Sequence, residues 1–82
     1  MQKPNQVRFV TQPGEADTLQ ISYDQFTMRF QQQNGRVTES ARESHIGGRG
    51  RVFIPEDIYR QAFAIARQEF AKRAHPQGEL DL

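Results

Sequence analysis

The sequence predicts an α+β domain: an antiparallel β-meander sheet of four to five strands with one C-terminal amphipathic helix packed on one face. Three features predict it. Apolar and polar residues alternate through residues 18–33. An Asn34-Gly35 pair separates that stretch from a further strand-like run. After Pro55 the apolar residues recur with the helical repeat instead.

The first strand is expected over residues 6–11, with Val7 and Phe9 on one face. Residues 12–17 form a polar turn around Pro13-Gly14. Leu19, Ile21 and Tyr23 then alternate with Gln20 and Ser22, and Phe26, Met28 and Phe30 alternate with Thr27, Arg29 and Gln31. One straight strand through both runs would turn its apolar face over between Tyr23 and Phe26. A tight turn at Asp24-Gln25 resolves this by pairing Tyr23 with Phe26, Ile21 with Met28 and Leu19 with Phe30. A bulge at the same place would also serve.

Asn34-Gly35 suits a type I′ turn, whose two central residues both need positive φ. Counting outward from it pairs Gln32 with Val37, Phe30 with Glu39 and Met28 with Ala41. The apolar face then continues thinly through Val37 and Ala41, and Glu39 on that face marks a sheet edge. In this register Arg29, Gln31, Thr38, Ser40 and Arg42 share the opposite, polar face.

Residues 43–50 carry three glycines and no apolar period, which predicts a flexible loop. Residues 51–54 read as a short fifth strand. With Val52 and Ile54 toward the helix, Arg51 and Phe53 point to the open face; the opposite parity puts Phe53 in the core. Pro55 suits the first position of a helix, and Glu56 and Asp57 suit the positive end of its dipole. Ile58, Tyr59, Ala62, Phe63, Ile65, Ala66 and Phe70 fall within one arc. Lys72, Arg73 and His75 complement the helix end, and Pro76 and Gly78 stop it. Residues 1–82 are expected to be one small domain, ordered over about 6–75, with flexible ends at 1–5 and 76–82.

A chain of 82 residues with 35% hydrophobic residues has a modest core. Burying further apolar area in a homodimer would stabilise it. With no cysteine there is no disulfide and no thiolate metal site, which fits a cytoplasmic location. The start of the chain lacks the apolar run of a signal peptide, and no apolar segment reaches bilayer length, so no membrane partner is expected. The formal net charge of +1 argues against a strong general polyanion binder. Residues 36–54 are locally basic, with Arg36, Arg42, Arg49 and Arg51 against Glu39 and Glu43.

The Gly47-Gly48-Arg49-Gly50-Arg51 stretch lacks the lysine and hydroxyl of a P-loop, and a strand is expected between it and the helix. Pro55, Glu56 and Asp57 disfavour a phosphate at the helix start, by a missing donor and by charge. No cofactor is expected. His45 and His75 lack the carboxylates a metal site would need. Ser44 and His45 are neighbours on an extended chain and point apart, so they make no nucleophile–base pair. The pattern therefore points away from an enzyme.

The candidate binding residues are Arg29, Arg42, Arg49, Arg51 and Phe53, grouped on the open sheet face and the adjoining loop. The expected function is a small non-catalytic binding or regulatory module acting through protein–protein contacts, a homodimer among them. The alternative is a nucleic-acid-binding module for single-stranded DNA or RNA, with a base stacked on Phe53 and phosphates held by the arginines. The order of elements is similar to the four-strand-and-helix unit of the Whirly-like and PUR-type single-strand DNA-binding folds. That likeness is one of topology alone and implies use of the sheet face.

Overall fold

A computed structural model of the protein describes residues 3–45 and 53–74. Its elements are β1 (Gln6–Phe9), β2 (Thr18–Ser22), β3 (Phe26–Gln33), β4 (Arg36–Ser44) and α1 (Glu56–Ala74). The strands form one antiparallel sheet in the order β1-β2-β3-β4, with the helix packed against it. This is the predicted α+β class, with four strands.

Each connection follows from its residues. The Glu15 amide donates to the Gln12 carbonyl at 3.0 Å across Pro13 and Gly14, and Gly14 has φ 81°. Proline followed by a positive-φ glycine is the signature of a type II turn. The Asp24-Gln25 turn sets the predicted register, with Leu19 opposite Phe30 and Ile21 opposite Met28. Asn34 and Gly35 both adopt positive φ, 53° and 78°, as a type I′ hairpin turn requires.

The predicted register fails at one place. From Gln33↔Arg36 to Phe30↔Glu39 the β3–β4 pairs are those counted from the turn. The register then shifts between Phe30 and Arg29, so Arg29 faces Ala41, Met28 faces Arg42 and Thr27 faces Glu43. Ser40 is the extra residue of a β-bulge, and its hydroxyl donates to the Arg29 carbonyl at 3.3 Å. One inserted residue reverses the facing of all that follows it. Arg42 therefore lies on the helix side with Met28, while Arg29 keeps the open face, and Ala41 and Arg42 exchange the sides expected of them. β4 also continues to Ser44, into the expected loop, and the His45 amide donates to the Gln25 carbonyl at 2.9 Å.

The helix lays Ile58, Ala62, Ala66 and Phe70, each four residues after the last, along the sheet, and all four are buried. The two alanines bring the helix backbone close. Leu19, Ile21, Met28 and Phe30 are fully buried beneath it. Tyr23 is buried too. Its hydroxyl donates to Gln61 Oε1 at 2.6 Å, and burial raises its pKa above the ordinary value of 10.0. At the far end Phe9 meets Phe70 edge-to-face at 5.3 Å, and Arg73 lies over Phe9 while bonding Asp17 at 3.2 Å.

The expected fifth strand is not formed by its described residues, because Phe53 and Ile54 belong to no strand. Charged β4 forms the sheet edge, and the chain must climb from the sheet layer to the helix layer here. Ile54 precedes proline, which keeps it extended but gives it no partner. Ile54 is buried and Phe53 is 83% exposed, so the parity that displays Phe53 is the one observed. Pro55 stands just ahead of the helix, its carbonyl accepting the Tyr59 amide at 2.9 Å. Among the described residues, no helix is long and apolar enough to cross a membrane.

Candidate functional site

The bulge at Ser40 divides the candidate arginines between two surfaces of different chemistry. On the open sheet face Arg29 is held by its neighbours. Its Nε donates to Gln20 Oε1 at 3.0 Å, and its guanidinium lies 3.9 Å from the Glu43 carboxylate. Gln31 donates to Thr18 Oγ1 at 3.1 Å beside it. Further along the same face, Ser22 Oγ, Thr27 Oγ1 and His45 Nε2 form a chain with steps of 3.1 and 2.6 Å. Among the described residues this face is built of amides, hydroxyls and Arg8, Arg29 and Glu43. No aromatic ring lies on it, because Phe9, Tyr23, Phe26 and Phe30 all face the helix.

The opposite surface, where the helix meets the β4 edge, gathers rings and guanidinium groups. Phe63 stands edge-to-face with core Phe30 at 5.0 Å and with Tyr59 at 4.9 Å. Both Tyr59 and Phe63 are half-buried, as expected of residues on the flank of the apolar stripe. Arg42 lies 5.7 Å from the Tyr59 ring centre, and Arg67 lies 5.6 Å from that of Phe63. Arg42 also grips Glu39 with two nitrogens, its Nε donating to Glu39 Oε2 at 2.7 Å. That fork holds the Arg42 guanidinium above its ordinary pKa, outweighing partial desolvation.

Two adjoining hollows run along this seam and meet at Arg67. One, of about 480 Å³, is lined by Tyr59, Arg60, Phe63 and Arg67. The other, of about 430 Å³, is lined by Gln32, Gly35, Arg36, Val37, Arg67 and Ala71. The local acids are already committed: Glu39 to Arg42, and Glu56 to Arg60 at 2.6 Å. Among the described residues, no carboxylate pairs with Arg36 or Arg67.

Of the five predicted site residues, the structure places Arg29 on the open face, Arg42 on the seam, and Phe53 in the exposed segment ahead of the helix. They form no single cluster. Arg49 and Arg51 lie outside the described residues. Sequence reasoning missed Tyr59, Phe63, Arg67 and Arg36 as a surface group. The available signal was the spacing of 59, 63 and 67, one helical turn apart each time, with an arginine continuing an aromatic row.

No family model, curated protein or solved structure matches the chain.

Proposed function

We propose that the chain is a small non-catalytic binding module that docks a protein partner on the seam between α1 and β4, with Phe53 displayed beside the start of the helix. The observation that carries this reading is the split of side chains between the two surfaces. Aromatic rings and arginines, the types that concentrate in protein interfaces, are gathered on the seam. Phe53 adds a ring exposed to 83%. Single-strand nucleic acid is instead bound on aromatic stacking platforms, and the described open face offers none. A second copy of the chain is one partner of the proposed kind, since a core this small gains from apolar area buried in a dimer. The lack of cysteine suits work in a reducing compartment such as the cytoplasm.

The test is affinity capture with the full tagged chain from its native extract, with and without nuclease. The captured protein is expected to survive nuclease. Phe53→Ala and Arg67→Glu, both changes at the surface, are each expected to weaken capture about tenfold, the effect of a modest interface hot spot. Capture that vanishes with nuclease, and is indifferent to both changes, contradicts the reading in favour of nucleic acid.

A further inference from the structure

We infer that the segment recognised at the seam is an acidic, extended peptide carrying an apolar anchor, with the anchor in the Tyr59–Phe63 hollow and its carboxylates on Arg67 and Arg36. This rests on the seam being the docking surface and adds the chemistry of what docks there.

Charge accounting along the seam leads to it. Glu39 and Glu56 are taken up by Arg42 and Arg60. Arg36 and Arg67 line the same hollow without a carboxylate partner among the described residues. Arg67 rests only on the face of Phe63, a contact that leaves its nitrogens available. Two guanidinium groups in one hollow, beside the Gln32 amide, match planar anions and carboxylates in particular. A basic or neutral segment would leave this surplus unsatisfied.

The adjoining hollow supplies the anchor site. At about 480 Å³, walled by two half-buried rings, it has room for a leucine or phenylalanine side chain. The extended form follows from the topology, because β4 is the sheet edge and its outer backbone groups have no strand beside them. Geometry sets the spacing. The anchor hollow is centred near Gln61, six residues before Arg67, so the two sites lie about 9 Å apart along the helix. An extended chain covers that distance in about three residues. The predicted pattern is an apolar anchor followed or preceded by an acid about three positions away, with further acids toward Arg36.

The test uses fluorescein-labelled synthetic twelve-residue peptides and the full chain. Each carries one leucine or phenylalanine with an Asp-Glu pair at spacings of one to six residues. Matched sets replace Asp-Glu by Asn-Gln or by Lys-Arg, and an oligothymidylate and inorganic phosphate serve as further probes. Anisotropy gives affinity, and amide chemical-shift changes give location. The expected result is binding strongest at a spacing near three, with shifts at Tyr59, Phe63, Arg67 and Arg36. Asn-Gln replacement should weaken it at least tenfold. Arg36→Glu/Arg67→Glu, with its circular dichroism unchanged, should lose the acidic peptides and gain the Lys-Arg set. Neutral or basic peptides binding the seam as tightly as acidic ones overturns this inference but leaves the protein-binding proposal standing. Binding of the oligothymidylate alone, with shifts on the open face, overturns both. Binding of phosphate as tightly as the peptides, or of no peptide at millimolar concentration, overturns the acidic-peptide assignment.

Discussion

Replacing Phe30 with alanine is expected to leave the domain largely unfolded at room temperature. Phe30 is fully buried, sits opposite Leu19 in the sheet and meets Phe63 of the helix edge-to-face at 5.0 Å. Truncating a buried phenylalanine costs about 3–5 kcal/mol, counting lost transfer and the cavity left behind. A domain this small has a total stability toward the lower end of about 5–15 kcal/mol. Urea unfolding followed by circular dichroism measures the difference. Phe53→Ala is the control, expected within about 0.5 kcal/mol of the parent because its ring is exposed. Equal costs for the two changes would mean that Phe30 does not stand at the centre of the core.

The second large effect is at Arg42. If β4 kept its regular register, Arg42 would stand on the open face and Arg42→Ala would be worth a few tenths of a kcal/mol. On the helix side, its removal strands Glu39, whose side chain is only 12% exposed, without the fork that satisfies it. Leaving a nearly buried charged group without its partner costs about 1–3 kcal/mol. The expected result is therefore a loss of that size for Arg42→Ala, largely recovered in Glu39→Leu/Arg42→Met, where both charges go together. A double-mutant cycle on urea midpoints reads the coupling directly. Additive single changes would place the pair in water, and with it β4 in the register without a bulge.

That contrast shows where the sequence is readable and where it is not. The Asn34-Gly35 and Asp24-Gln25 turns were legible because each lies between runs of strong apolar alternation. Moving either by one residue would expose Leu19, Ile21, Met28 and Phe30 together. The helix was legible for the same reason, its buried line at 58, 62, 66 and 70 being fixed by burial. Beyond Glu39 that constraint lapses. Ser40, Ala41, Arg42, Glu43 and Ser44 include no large apolar side chain, so alternation alone cannot decide whether the strand runs regularly or gains one residue. The structure settles it through the Glu39–Arg42 fork and the Tyr59 ring, contacts made across the fold and invisible in local pattern. Phe53 is a similar case. Val52-Phe53-Ile54 is apolar throughout, so either parity is locally acceptable, and burial of Ile54 decides it.

The candidate site was half-legible for a related reason. Arginine-rich composition pointed to a binding surface, but which arginines share a face depends on the bulge. The open face was expected to hold Arg29, Arg42 and an aromatic together. The described part of that face instead holds Arg29 among glutamines and hydroxyls. Tyr59 and Phe63 read from sequence as core, and they are partly so. Their outer edges are left bare because β4 offers only Val37, Glu39 and Arg42 on its helix side, too little apolar surface to cover them.

The most direct test of the division between a binding seam and a passive open face is photo-crosslinking from each in turn. A benzoylphenylalanine placed at Arg60 probes the seam, where the side chain is 76% exposed, and one placed at Arg8 probes the open face of the sheet. In native extract, a discrete protein adduct is predicted from position 60 and none from position 8. An adduct from position 8 with none from position 60, whether to protein or to nucleic acid, would contradict the assignment of the seam.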